Sequence, residues 1–212
     1  MAIYDLEEQE KIDGLKSWWE ANGTLVIIFV ATLIATTAGY RIWKHYTAQQ
    51  TEQAAELYAS LLQVDADGDP KKTGDAAHLL MEGYPASGYA ARAALISARA
   101  SFEAGDRQTA KGRLQWILDN VKEEELKDLA RLRLAGILLD EERYDDALRL
   151  LDTGHGPSFD GLYADLKGDI LVSAGKPAEA VAAYRAALGR LEQDGVYHGI
   201  VQMKLDALAE GG

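Results

Sequence analysis

The chain has 212 residues, a formal net charge of −12 at pH 7 and no cysteine. The excess of negative charge disfavours binding to nucleic acid or to anionic lipid headgroups, because both would repel the surface. The absence of cysteine excludes disulfides, thiolate zinc sites, a thiol nucleophile and covalently attached haem. The residues beyond position 40 are numerous enough to form one domain with its own core.

The first strong feature is an apolar stretch, Ala21–Tyr40, which contains no charged residue. As a helix it would extend about 30 Å, the thickness of the hydrocarbon core of a bilayer. Aromatic side chains flank both ends and basic ones follow the second, as expected where a helix crosses the lipid headgroups. We therefore predict a tail over residues 1–20, a transmembrane helix over residues 21–43 and a further domain over residues 44–212. The predicted membrane-interface residues are Trp18, Trp19, Tyr40, Arg41, Trp43 and Lys44.

Two other interpretations of this stretch are weaker. A cleaved signal peptide has a basic start, a shorter apolar run and a small-residue cleavage site, whereas this segment follows an acidic start and ends in aromatic and basic residues. A core helix that is apolar on all sides is rare in a chain this small. The charges alone do not determine the orientation, because two lysines before the stretch balance Arg41 and Lys44 after it.

The segments on either side of the stretch have helical periodicity. Apolar residues at Ile3, Leu6, Ile12 and Leu15 fit either a short amphipathic helix or a solvated tail. Beyond the stretch, residues 47–64 repeat apolar side chains every three or four positions. We predict that the membrane helix continues through them.

The acidic run Asp65–Asp69 ends this helix. Its alternating carboxylates resemble the start of a calcium-binding EF-hand loop. Such a loop needs a glycine at its sixth position and a glutamate at its twelfth, and these positions hold Pro70 and Ala76. We predict a polar turn instead, followed by a helix over residues 71–84 with Leu79 among its inward-facing residues.

Three predicted helical hairpins follow, each made of a helix, a short turn and a second helix. A small residue opens the second helix of each hairpin, at Ala110, Ala147 and Ala180, and the spacings between them are 37 and 33 residues. A helical hairpin repeated about every 34 residues is typical of tetratricopeptide repeats. The chain resembles that family most closely over residues 161–191. The matching residues there are Gly168, Leu171, Ala180, Tyr184 and Ala187.

The predicted fold class is therefore all-α. One N-terminal transmembrane helix is followed by an α-solenoid of tetratricopeptide-like hairpins. A last amphipathic segment over residues 196–209, with Tyr197 and Ile200 on its apolar face, is predicted to be the capping helix, because a repeat array otherwise ends in an exposed apolar surface.

A stacked array of this kind offers a concave face to a segment of a partner protein. In the repeat register above, the first helix of each hairpin lines that face. The predicted partner-binding residues are Arg92, Leu95, Arg99 and Phe102 from the first hairpin, Leu132 and Leu139 from the second, and Asp165, Asp169 and Val172 from the third. A solvated surface is the alternative for each charged residue among them.

No recognised catalytic pattern is present in the sequence. The four histidines are scattered and form no pair at helical spacing for a metal, and the glycine-rich loop at residues 154–157 follows a helix rather than a strand. The nucleophile motifs Ser-x-x-Lys and Gly-x-Ser-x-Gly are absent. We predict that the protein is not an enzyme and binds no cofactor or metal.

The layout of the whole chain resembles a particular family. An acidic tail, in which Glu7, Glu8, Gln9 and Glu10 precede Lys16, Trp19 and Gly23, leads into one anchor and a tetratricopeptide-like domain. This layout is similar to that of the ancillary SecYEG translocon subunit family, also called YfgM-like, of proteobacterial inner membranes. The resemblance implies a cytoplasmic N-terminus, a periplasmic domain and association with the SecYEG translocon. It also implies association with a membrane-anchored parvulin-type chaperone (PpiD-like).

The predicted function is that of a membrane-anchored adaptor or chaperone-type subunit at the translocon, with unfolded secreted proteins as further candidate partners. The alternative is a scaffold for cell-division, cell-wall or signalling complexes in the envelope. Its crosslinks would reach one fixed partner rather than many secreted chains.

Overall fold

The computed structural model describes residues 3–210, and side chains from Lys11 to Ala209. All regular structure within that range is helical, apart from turns. The helices are α1 (Ile3–Ala66), α2 (Pro70–Gly83), α3 (Gly88–Glu103), α4 (Arg107–Asn120), α5 (Glu124–Asp140), α6 (Tyr144–Leu151), α7 (Asp160–Ser173), α8 (Pro177–Leu188) and α9 (Val196–Glu210), with a short 3₁₀ turn at Pro157–Phe159. The all-α fold class is confirmed.

Helix α1 includes the predicted membrane span and the amphipathic residues 47–64 without interruption, as expected. Its apolar window is not buried by any other part of the described chain. The tail is helical from Ile3, but the side chains of Ile3 and Leu6, on which its predicted amphipathic face depends, lie outside the described residues. By contacts the chain divides into two compact units, Met1–Glu52 and Gln53–Gly212.

The second unit is built of helical hairpins. The pairs α3–α4, α5–α6 and α7–α8 form the three predicted hairpins, and α9 follows as the capping helix. The turn inside each pair places one residue, Gly105, Glu142 or Gly175, at a positive φ between 59° and 83°. Glycine adopts this left-handed conformation easily, whereas Glu142 does so against its own steric preference. The turns recur at the 37- and 33-residue spacings of the small residues.

Small residues allow the two helices of each hairpin to approach closely. Ala110, Ala147 and Ala180 are all fully buried, as the repeat register predicts. The third hairpin shows the constraint most clearly. A Cβ added at Gly168 would lie 2.4 Å from the ring of Tyr184, so only glycine fits there.

Three apolar clusters connect the hairpins of this unit. The largest runs from Met81 through α3, α4, α5 and α6 to Ile170. The second joins the end of α1 to α2 and α3 through Leu61, Leu80 and Ala93. The third joins α7 and α8 to Val201 of α9. Each hairpin therefore buries its apolar faces against the next helices in the chain.

Some predicted positions differ in the structure. Leu79 does not face inward but is 58% exposed, and the buried face of α2 includes Thr73 instead. In the capping helix Val201 is buried, whereas Tyr197 and Ile200 remain exposed. The wider apolar face that the sequence indicates for α9 is therefore only partly used inside the fold.

We predict that Gly168→Ala lowers the free energy of unfolding by about 1–3 kcal/mol, because the added methyl group overpacks a buried contact. The ring of Tyr184 cannot move away easily, since its hydroxyl donates to Asp169 at 2.8 Å. The matched control is Gly112→Ala, where a Cβ meets nothing within 4 Å. This control should stabilise the helix by up to about 1 kcal/mol. Urea denaturation of the full chain in detergent, followed by circular dichroism, measures both, and equal effects would contradict the close-approach interpretation.

Candidate partner-binding face

Five residues recur at similar intervals along successive helices of the second unit. Asp65, Arg99, Gly136, Asp169 and Lys204 are separated by 34, 37, 33 and 35 residues. We call them the ladder positions. They belong to α1, α3, α5, α7 and α9, and the repeat register assigns α3, α5 and α7 to one face.

The first two ladder positions, Asp65 and Arg99, form an ion pair. Arg99 donates to the carboxylate of Asp65 at 2.7 Å, and its other terminal nitrogen lies 3.8 Å from Glu103. Arg99 is half-exposed, so the pair contributes little to stability by itself. It does fix the direction of the Arg99 side chain along the face.

The last two ladder positions, Asp169 and Lys204, belong to a larger and more buried cluster of polar side chains. Lys204 of α9 donates to Asp169 at 2.7 Å and to both carboxylate oxygens of Asp165 at 2.9 and 3.0 Å. Tyr197 donates to Asp165 at 2.6 Å and Tyr184 to Asp169 at 2.8 Å. Asp165 is 2% exposed, so its charge depends on these donors. The cluster fastens the capping helix to α7.

The pKa values of the three donors, Lys204, Tyr184 and Tyr197, are all shifted by this cluster. Burial alone would lower the pKa of Lys204, but its hydrogen bonds to Asp169 and Asp165 outweigh that effect and raise it. Burial and then a hydrogen bond to a carboxylate raise the pKa of Tyr184 and of Tyr197. Each donor therefore keeps its proton at neutral pH.

The central ladder position has no side chain. A Cβ at Gly136 would meet nothing within 4 Å, and a cavity of about 360 Å³ opens beside it between α3, α4 and α5. We call this cavity the central groove. Its lining residues are Ala98, Arg99, Phe102, Leu114, Arg133, Gly136, Ile137, Leu139 and Asp140.

Two features of the central groove stand out. Phe102 is 37% exposed there, which is unusual for a phenylalanine inside a packed array, and Arg107 lies 6.0 Å from the centre of its ring. Arg133 forms none of the ion pairs found among the described residues. Burial lowers the pKa of Arg133, and the nearby charge of Arg99 lowers it further.

The predicted partner-binding residues are distributed unevenly. The structure brings Arg99, Phe102 and Leu139 together in the central groove. Leu95 and Asp165 are buried, and Asp169 is held by Lys204, so these three add little accessible surface. The remaining ones are Arg92, which lies 3.9 Å from Glu123, Leu132, which packs against the largest cluster, and Val172, which is exposed.

Sequence reasoning missed Gly136, Arg133 and Lys204. The signal for Gly136 was present, because the repeat register aligns it with Arg99 and Asp169 and so marks a missing side chain on the face. The signal for Lys204 was its 35-residue distance from Asp169. Nothing in the sequence indicates that Arg133 lacks an acidic partner.

The predicted membrane-interface residues lie in the first unit on α1. The rings of Trp18, Trp19, Tyr40 and Trp43 are all exposed. The two groups are separated by 21–25 residues of continuous helix, or about 35 Å, which matches the distance between two headgroup regions across a bilayer. Arg41 and Lys44 are exposed beside the second group.

A second cavity of about 530 Å³ lies between α7, α8 and the loop that follows α6. Its charged side chains are already paired, Lys167 with Asp152 at 2.8 Å and Arg190 with Asp160 at 3.4 Å. His155 is 3.4 Å from the same Asp160. Across the described part of the chain, no three His, Asp or Glu side chains are grouped to hold a metal ion.

A buried aspartate holds the loop beside this cavity. Asp128 accepts from the backbone amide of Gly156 at 2.8 Å and from Arg131 at 2.6 Å. The hydroxyl of Tyr163 donates to the backbone carbonyl of Asp128 at 2.8 Å. Burial, and then the charge of Asp128, raise the pKa of Tyr163 to about 12. These contacts give Asp128 a structural role.

Comparison with known proteins agrees with the architecture. The family described as "Tetratricopeptide repeat-like domain" matches residues 16–210. A protein named ancillary SecYEG translocon subunit from Neisseria gonorrhoeae is 33% identical over 204 residues, which cover 96% of this chain and 98% of that protein. The chain belongs to the ancillary SecYEG translocon subunit family. Proteins of the same name from Haemophilus influenzae and Escherichia coli are 30% and 26% identical, over 97% and 99% of this chain and 99% and 100% of their own lengths. No solved structure matches the chain.

Membership of the ancillary SecYEG translocon subunit family confirms the resemblance drawn from the tail motif and the repeat pattern. The matches to these relatives cover 96–99% of this chain, so they include most of α1 as well as the repeats. The match to the repeat-like family begins at residue 16, inside α1, and ends with α9.

We predict that Lys204→Met destabilises the second unit by about 2–3 kcal/mol, because it leaves the buried Asp165 without its cation. Amide hydrogens of α9 should exchange faster than those of α3 in this variant. The matched control is Lys167→Met, which removes a lysine from an exposed pair and should change stability by less than about 0.5 kcal/mol. Urea denaturation and hydrogen exchange measure both effects. Unchanged α9 protection in Lys204→Met would contradict the role of the cluster.

We also predict that stability falls at alkaline pH. The folded pKa values of Tyr163, Tyr184, Tyr197 and Lys204 are all raised, so their contribution is complete below about pH 9 and is lost as the pH rises through their folded values. The melting temperature should therefore decrease between pH 10 and 12. The decrease should be smaller in Tyr163→Phe, which cannot ionise. A melting temperature that does not change over this range would contradict the prediction.

Proposed function

We propose that the protein is a non-catalytic adaptor of the SecYEG translocon, in which one membrane helix tethers a helical repeat domain that holds partner proteins. The observation that carries this proposal is the joining of an unburied, membrane-length apolar helix to a tetratricopeptide-like domain in one chain. The name shared by the relatives supplies the translocon as the partner. Repeat arrays act by presenting extended surfaces to other proteins.

The proposed topology places the N-terminal tail in the cytoplasm and the repeat domain in the periplasm, with the helix in the bacterial inner membrane. The basic residues flanking the helix are balanced, so this orientation depends on the family resemblance rather than on charge. In this topology the domain stands on the side where exported chains emerge.

The proposed partners of the domain are a membrane-anchored parvulin-type chaperone (PpiD-like) and unfolded secreted proteins. A tether confines the domain to the membrane surface and raises its effective concentration near other membrane-bound proteins. A weak binding site on the domain can then be occupied by a partner protein for much of the time. The domain would keep a chaperone or an emerging client beside the channel.

Side-specific labelling tests the topology. The chain has no cysteine, so single cysteines introduced as Glu10→Cys and Arg190→Cys are the only thiols present. A membrane-impermeant maleimide applied to spheroplasts should label Arg190→Cys and leave Glu10→Cys unlabelled until the membrane is permeabilised. The reverse pattern would overturn the proposed orientation.

Co-purification in mild detergent tests the partners. A photo-crosslinking residue in place of Phe102, on the central groove, should capture SecYEG or the parvulin-type chaperone. The control carries the crosslinker in place of Gln115, which is exposed on α4 and does not line the central groove. If neither SecYEG nor the chaperone is recovered, the proposed function is contradicted. Capture of one fixed envelope partner of another kind would favour a scaffold for cell-division, cell-wall or signalling complexes.

A further inference from the structure

The central groove is a gap in an otherwise paired face. In the repeat register the pair Asp65–Arg99 precedes Gly136 and the pair Asp169–Lys204 follows it, each at 2.7 Å. Gly136 occupies the position between them and contributes no side chain. The sequence therefore leaves an opening at the centre of the face, where a ligand would meet the fewest internal contacts.

The central groove is lined mainly by apolar residues, together with two arginines and one aspartate. Leu114, Ile137 and Ala98 form a buried floor, and Phe102 and Leu139 are more accessible. The volume of about 360 Å³ lies at the lower end of the range for binding pockets, about 300–1,000 Å³, and suits one or two side chains.

Two of the three charged residues that line the central groove are arginines, Arg99 and Arg133, although the chain as a whole carries −12. Arg99 already contacts Asp65 and Glu103. Arg133 has no ion-pair partner in the described chain, and Asp140 is the only acidic residue in the groove lining. The guanidinium of Arg133 is exposed and lies near the positive charge of Arg99, so a carboxylate can reach it and accept a charge-assisted hydrogen bond.

We infer that the central groove binds a segment of a partner protein that presents an apolar side chain next to an aspartate or glutamate. The apolar side chain packs on Phe102, in the space beside Gly136. The carboxylate accepts hydrogen bonds from Arg133. This inference rests on the proposed function in taking the occupant to be a partner protein.

The test uses the full-length protein in detergent micelles and fluorescein-labelled eight-residue peptides. The probe has a Gly-Ser backbone with a central Phe-Asp pair, and the comparison peptides carry Phe-Asn or Ala-Asp. Fluorescence anisotropy should show that the Phe-Asp peptide binds about tenfold more tightly than either, since each comparison removes one contact. Equal affinity for the Phe-Asp and Phe-Asn peptides would overturn the role of Arg133.

Two pairs of variants locate the binding. Arg133→Gln should weaken binding of the Phe-Asp peptide about tenfold and leave the Phe-Asn peptide unchanged, whereas Arg190→Gln, at an exposed arginine outside the groove, should affect neither. Gly136→Leu should fill the groove and abolish binding without lowering the melting temperature. Gly112→Leu, at the other glycine with open space inside a hairpin helix, should bind as the unmodified protein does.

Other results separate the possible occupants. If sedimentation shows a dimer that Gly136→Leu dissociates, the groove is occupied by a second copy of the chain and the inference is overturned. If the translocon co-purifies but no peptide is discriminated, the groove inference fails and the proposed function stands. If the peptides are discriminated but neither translocon nor chaperone is recovered, the proposed function fails and the ligand chemistry stands.

Discussion

A helical hairpin cannot bury both of its apolar faces by itself, and the second unit is organised around this constraint. Ala110, Ala147 and Ala180 are buried where the two helices of each hairpin approach closely, and larger apolar side chains pack each hairpin on the next. The outer apolar face at each end of such an array has no neighbouring hairpin and must be covered by another helix. One end is covered by the last turns of α1, where Leu61 enters the second cluster, and the other by α9, where Val201 enters the third.

The ladder positions add a polar constraint to this packing. A carboxylate as buried as Asp165 is stable in the fold only if cations and hydroxyls surround it, so its position fixes where α9 must lie. Asp65 and Arg99 form a more exposed pair at the other end. With both ends occupied by internal pairs, the centre of the face at Gly136 is the place where side-chain contacts are missing.

Much of the fold was predictable because its determinants are local in the sequence. Helix ends coincide with turn residues such as Gly105 and Gly175, and Ser87 caps α3 by accepting from Ala90, as such residues commonly do. Periodicity failed at Leu79, whose spacing fits the inward face of α2 although no helix covers it. Spacing shows which residues share a helix face but not whether a neighbour buries that face.

The candidate site was predictable only in part, for a related reason. The register of the repeats placed Arg99, Phe102 and Leu139 on one face, and the structure gathers them around one groove. It also placed Asp165 and Asp169 there, but could not show that α9 would supply their cation from 35 or more residues away. Ion pairing between distant helices depends on how the helices stack. The sequence alone therefore does not distinguish a charged side chain that has an ion-pair partner from one that has none.

Under the proposed function, the tether sets how tightly the central groove must bind. A short segment that fills about 360 Å³ and forms one charge-assisted contact binds weakly when both molecules diffuse freely. On a membrane, the anchors of the two proteins replace free diffusion with an effective concentration that reaches the millimolar range for short flexible connections. A weak groove is then occupied next to its partner and empty elsewhere. Such a site releases a segment quickly, which suits an adaptor that passes chains on and would not suit a permanent scaffold.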